Sequence, residues 1–117
     1  MTIDSKYTID LPYRVKEAFV TRGTIIAVLL DPGAYPKDQK IRKNLLGFDR
    51  QGNKLWEAEL PRYSSFDVWV PKGSTSQAPD SYEGVVQREP LIVWSWSGSE
   101  CKINEATGKI ESAEFYK

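Results

Sequence analysis

Apolar residues along this chain fall into strand-like runs. Residues 19–30, FVTRGTIIAVLL, are rich in β-branched side chains and are broken by a glycine that marks a turn. Residues 90–99, PLIVWSWSGS, form a second run that is apolar on both faces until its serines, the pattern of strands lying inside a sheet or sandwich. Two shorter candidates are NLLGF at 44–48 and CKIN at 101–104. No segment keeps an apolar period of 3.6 residues, and RVKEAF at 14–19 makes at most one helical turn or continues a strand. The pattern predicts an all-β chain.

Two further stretches repeat. DRQGNKLWEAEL at 49–60 lies over NEATGKIESAEF at 104–115 with an offset of 104 − 49 = 55, pairing Lys54 with Lys109, Leu55 with Ile110 and Ala58 with Ala113. Asp49 meets Asn104, and either side chain hydrogen-bonds the backbone of a turn. Asn53 meets Gly108, the two residue types most tolerant of positive φ, which predicts a left-handed residue at both places. Upstream the offset is 84 − 18 = 66, which sets Ile25 on Leu91 and Ile26 on Ile92. The difference of 66 − 55 = 11 is an insertion in the first copy. Ser97-Gly98 makes a tight connection where the first copy uses thirteen residues, DPGAYPKDQKIRK at 31–43. The expected architecture is two four-stranded antiparallel meander units packed as a sandwich or an incomplete barrel. They make one domain over 1–117, with unit one at 13–60, a connector at 61–81 and unit two at 82–117. Within the connector, FDVWV at 66–70 alternates well enough for a further strand, and KGSTSQAPDS at 72–81 reads as an exposed loop.

The motif GFDRQGNKLWEAEL, a strand, an Asp-led turn with Gly and Lys, then Trp and another strand, resembles one blade of the propellers that bind pyrroloquinoline quinone and of related outer-membrane assembly factors. CKINEATGKIESAEF keeps the Thr-Gly-Lys turn and has Glu111 in place of the Trp. Small bacterial orphan proteins with two such units are also similar, and some are immunity proteins of interbacterial toxins. A propeller closes with typically four to eight blades around a channel, and two do not close one. The quinone-binding residues of such propellers come from many blades and have no matching positions here, so the resemblance implies the local strand-turn-strand form and no cofactor.

Composition removes most chemistry. The 117 residues include no histidine, so neither a Ser-His-Asp nor a Cys-His device exists in the chain, and the commonest zinc ligand is missing. Sixteen basic residues balance sixteen acidic ones, which favours neither nucleic acid nor an anionic membrane. The single Cys101 has no intrachain disulfide partner, and Glu100 beside it disfavours a reactive thiolate. The first ten residues lack the apolar core of a signal peptide, and the longest apolar run falls far short of a membrane span. A cytoplasmic protein is expected.

The insertion is the leading candidate site, because functional residues concentrate on loops held by a rigid scaffold. Tyr35, Lys37, Lys40, Arg42 and Lys43 would meet an acidic partner surface; the alternative is a tolerated solvated insertion, since added loop length costs little. Tyr63, Phe66 and Trp69 in the connector form a second candidate surface, or else cover a sheet edge. Trp56 is expected to fill the space between sheets. Trp94 and Trp96, two apart, are assigned first to the core and second to a platform for a glycan or base. Carboxylates such as Glu57 and Glu59, or Glu100 beside Lys102, fit a solvated strand face better than an acid pair. The expected function is a non-catalytic protein-binding module with no metal or cofactor. The family resemblance makes an immunity-type protein that neutralises a toxin domain its most concrete form. A small-molecule or glycan-binding domain using Trp69, Trp94 and Trp96 is the alternative. Self-association through a free sheet edge is open to such a fold.

Overall fold

The computed structural model describes residues 2–3, 7–21, 25–39, 42–61, 81–96 and 98–115. After a short hairpin of β1 (Thr2–Ile3) and β2 (Tyr7–Thr8), two four-stranded sheets follow. The first contains β3 (Val15–Thr21), β4 (Ile25–Leu30), β5 (Leu45–Phe48) and β6 (Lys54–Glu57); the second contains β7 (Tyr82–Gln87), β8 (Ile92–Ser95), β9 (Ser99–Ile103) and β10 (Ile110–Phe115). Every strand pairs antiparallel with its neighbour in sequence, in the orders β3-β4-β5-β6 and β10-β9-β8-β7. The chain is thus all-β and built from two similar meanders. Apart from a single 3-10 turn at Pro32–Ala34, no helix occurs among the described residues, and no helix there is long and apolar enough to cross a membrane.

Strand alternation builds the core between the sheets. Phe19, Ala27, Leu29, Leu45 and Trp56 of the first sheet meet Tyr82, Val93, Cys101 and Ile103 of the second. Each fully buried large aliphatic side chain here contributes about 1.5–3 kcal/mol through loss of apolar surface from water. One buried polar side chain links the sheets at the seam. Asn44 is fully buried; its Nδ2 donates to the carbonyls of Leu30 (2.9 Å) and Tyr82 (2.7 Å), and its Oδ1 accepts from Tyr82 N (2.8 Å). One side chain therefore ties the start of β5 to the start of β7. Beyond the end of β6, Glu59 N donates to Gly108 O at 2.9 Å, and the Glu59 carboxylate accepts from Ile110 N. The two sheets form a sandwich, with no strand pairing between them among the described residues.

The two units agree strand for strand, with one slip. Ala27 pairs with Gly47 on the inner face, and Val93 pairs with Cys101 in the same way, an offset of 101 − 47 = 54. The turns that follow are offset by 55, because β9 keeps one more core residue, Ile103, before Asn104 turns. A one-residue slip reverses a strand's faces, so aligning the letters mismatches the inward residues of this strand. The left-handed residues are Gly108 (φ 75) in the second turn, as expected, and Gly52 (φ 87) in the first, one position before Asn53.

Trp94 and Trp96 do not enter the core. Val93 and Ser95 face inward, which turns Trp94 to the outer face opposite Gly84 and Glu100. Trp96 lies beyond the end of β8. They are 46% and 56% exposed. Cys101 is fully buried in the core, consistent with an inert thiol. The strand expected at 66–70 lies outside the described residues, as does the loop at 72–81 except for its last residue, Ser81, which is buried.

Candidate functional site

The first sheet is apolar on both faces. On its outer side Ile26, Val28, Leu30, Leu46 and Phe48 form a second cluster with Ile9 and Tyr35. Five consecutive buried residues, Ile26 through Leu30, are what such a strand requires. The cover comes from two places. The segment between β2 and β3 brings Ile9, Leu11 and Tyr13 over the sheet, and the insertion brings Tyr35.

The insertion is held at its base as a strand pair would be. Leu30 N donates to Asn44 O at 2.8 Å, and Asp31 N donates to Arg14 O at 2.7 Å. Asp31 then caps the 3-10 turn, its Oδ1 accepting from Gly33 N at 2.9 Å, while Arg14 contacts its Oδ2 through Nε (3.2 Å) and Nη2. The Arg14 guanidinium and the Gly33 amide hold the Asp31 carboxyl below its ordinary pKa.

Of the residues singled out in this loop, Tyr35 is buried and stacks on Tyr13 with ring centroids 4.0 Å apart. Burial raises its phenol pKa, and the nearby Tyr13 and Glu57 add to the shift, with Arg42 opposing. Arg42 turns back onto its own loop, donating to the carbonyls of Gln39 (2.6 Å), Pro32 (2.9 Å) and Pro36 (3.3 Å). Its role is to brace the loop. Lys37 and Lys43 stay exposed. Lys40, Tyr63, Phe66 and Trp69 lie outside the described residues.

Loop, N-terminal segment and sheet line a half-open cavity of about 650 Å³. Its floor is Leu30, Leu46 and Phe48, its walls Ile9, Leu11, Tyr13 and Tyr35, and its rim carries Asp10, Gln39, Lys43, Lys54 and Glu57. Lys54 Nζ lies 3.1 Å from Glu57 Oε1, so this rim pair is neutralised within itself. The insertion was legible as a candidate from the unequal connections of the two copies. The segment at 8–13 was missed, and its alternation of Ile9, Leu11 and Tyr13 was the available signal.

Chemically the site offers an apolar base, two tyrosine rings and a rim of mixed charge. No group of three or more metal-ligating side chains occurs among the described residues. Glu57 lies on the cavity rim, whereas the Glu59 carboxylate is taken up by the backbone of β10, so the two do not form an acid pair. The fold and site define a two-sheet β protein whose first sheet has a loop-covered outer face. Residues 1–115 match the family described as "Domain of unknown function (DUF7957)", and the chain belongs to that family. No curated protein and no solved structure matches it.

Proposed function

We propose that the protein is a non-catalytic protein-binding module, most concretely an immunity-type protein that occludes a toxin domain, acting in the cytoplasm. One observation carries the reading: an insertion that strand connection does not need is braced by Arg42 and anchored by Tyr35, leaving Lys37 and Lys43 outside. A braced loop loses little conformational freedom on binding and so presents its charges to an acidic surface at low cost. A partner contact of about 800 Å² per side is within reach of a domain of this size.

The test is co-expression with the product of the neighbouring reading frame. Growth arrest by that product should be relieved by the wild-type chain and restored by the double variant Lys37→Glu/Lys43→Glu, whose circular dichroism and urea midpoint stay unchanged. A chain that remains monomeric and partnerless in its own host's lysate overturns the reading. Exposure of Trp94 and Trp96 favours a second reading, a glycan-binding face on the second sheet. Fluorescence unmoved by a sugar panel would dismiss it.

A further inference from the structure

We infer that the cavity on the outer face of the first sheet is a binding site for a small zwitterion with an apolar body, an apolar amino acid or a short apolar peptide. The inference does not rest on the protein-binding reading. A volume of about 650 Å³ lies within the ~300–1,000 Å³ of small-molecule sites, and an apolar floor with a few convergent polar groups is the usual composition of such sites.

The rim decides the ligand's charge. Lys54 and Glu57 neutralise each other. The remaining charged rim residues, Asp10 and Lys43, are both exposed, have opposite signs and engage in no ion pair among the described residues. A balanced rim favours a ligand that is neutral overall and carries both signs, its ammonium toward Asp10 and its carboxylate toward Lys43. The ligand's side chains lie against the half-buried Leu11 and Tyr13, above the buried Leu30, Leu46 and Phe48. The phenol hydroxyls of Tyr13 and Tyr35 make no hydrogen bonds among the described residues. Burial and the neighbouring Glu57 keep the Tyr35 phenol protonated at neutral pH, so it offers an O–H to a ligand oxygen.

The experiment titrates the full-length, isotopically labelled chain with the dipeptide Leu-Phe and follows amide shifts by NMR. Saturable changes should centre on Tyr35, Leu46 and Gly52. Capping either end of the dipeptide, or making Lys43→Glu or Asp10→Lys, should weaken binding roughly three- to fivefold, the size of one half-exposed ion pair. Both side chains are exposed, so these variants keep the fold. Gln39→Trp, which places a bulky ring at the exposed rim, should abolish the shifts while leaving the charges in place. Absence of shifts at millimolar dipeptide overturns the proposal. Equal binding of the doubly capped, uncharged peptide overturns it too, as does binding unaffected by Gln39→Trp.

Discussion

Trp56 and Trp94 make the same contact within their own sheets and face opposite ways in the molecule. Trp56 on β6 lies across Gly47 of β5, where an added Cβ would fall 2.2 Å from its ring. Trp94 on β8 lies across Gly84 of β7, where a Cβ would fall 2.6 Å from its Nε1. In both, a large ring covers a cross-strand glycine, an arrangement that restores the packing the glycine forgoes. Yet Trp56 is 6% exposed and Trp94 is 46% exposed. The difference comes from the other unit. The turn after β9 closes over Trp56: Gly108 packs on its ring, and Glu105 O accepts its Nε1–H at 2.8 Å. Trp94 faces away from the first sheet and receives no such cover among the described residues. A strand tryptophan's own neighbours fix its rotamer, whereas the facing sheet fixes its burial.

The sharpest way to break this comparison is to truncate both rings. Trp56→Ala should cost about 3–5 kcal/mol, because it opens a cavity between the sheets and orphans the Glu105 carbonyl. Trp94→Ala should stay within about 1 kcal/mol, the range of surface changes. Urea unfolding of the two variants measures the gap, and equal losses would mean that the faces are misassigned. A smaller contrast follows at the glycines. Gly47→Ala should cost about 1–3 kcal/mol, since the Trp56 ring is held between Gly47 and Gly108 and has nowhere to move. Gly84→Ala should cost under about 1 kcal/mol, because the Trp94 ring can swing into solvent. Comparable midpoints for the two alanine variants would show that Trp94 is pinned as firmly as Trp56.

Architecture was legible in the sequence because it rests on local signals. The runs at 19–30 and 90–99 became β4 and β8 with their neighbours, the Asp49 and Asn104 side chains bond the backbone of their turns as expected, and the unequal connection marked the insertion. Side-chain destination was less legible. Residues 92–95 read as apolar on both faces, yet only Val93 and Ser95 are inward, because burial of the other face depends on what the rest of the chain lays over it. Unit one has such cover and unit two leaves Trp94 bare. The candidate site suffered from the same limit. Tyr35, grouped in the sequence with the loop cations, is buried, and that burial is not legible locally because Ile9 and Tyr13, which pack with it, lie more than twenty positions away.

The comparison of the units extends, at its smallest scale, to a titration. In the first turn the Asp49 carboxylate accepts from Asn53 N (2.9 Å), Asn53 Nδ2 (3.0 Å) and Gln51 N (2.9 Å). Those bonds, chiefly from Asn53, hold its pKa below the ordinary 3.8. In the second turn Asn104 Oδ1 accepts from Ala106 N (2.9 Å) and Thr107 N (3.2 Å) and carries no charge to lose. A carboxyl depressed on folding stabilises the folded state fully above its unfolded pKa, and that contribution fades as pH falls through the folded value. Acidification from about pH 5 to about pH 2 should therefore loosen the first turn while sparing the second. The readout is the amide shift and exchange of Gln51 and Asn53 set against Ala106 and Thr107. Asp49→Asn should make the first turn as indifferent to acid as the second. Asp31, depressed by Arg14 and Gly33, should go on titrating in that variant and mark the Gly33 amide. If both turns loosen together in the wild type and in Asp49→Asn alike, acid acts through the shared core rather than the turn carboxylate, and the two units are less independent than their separate hydrogen-bond ladders imply.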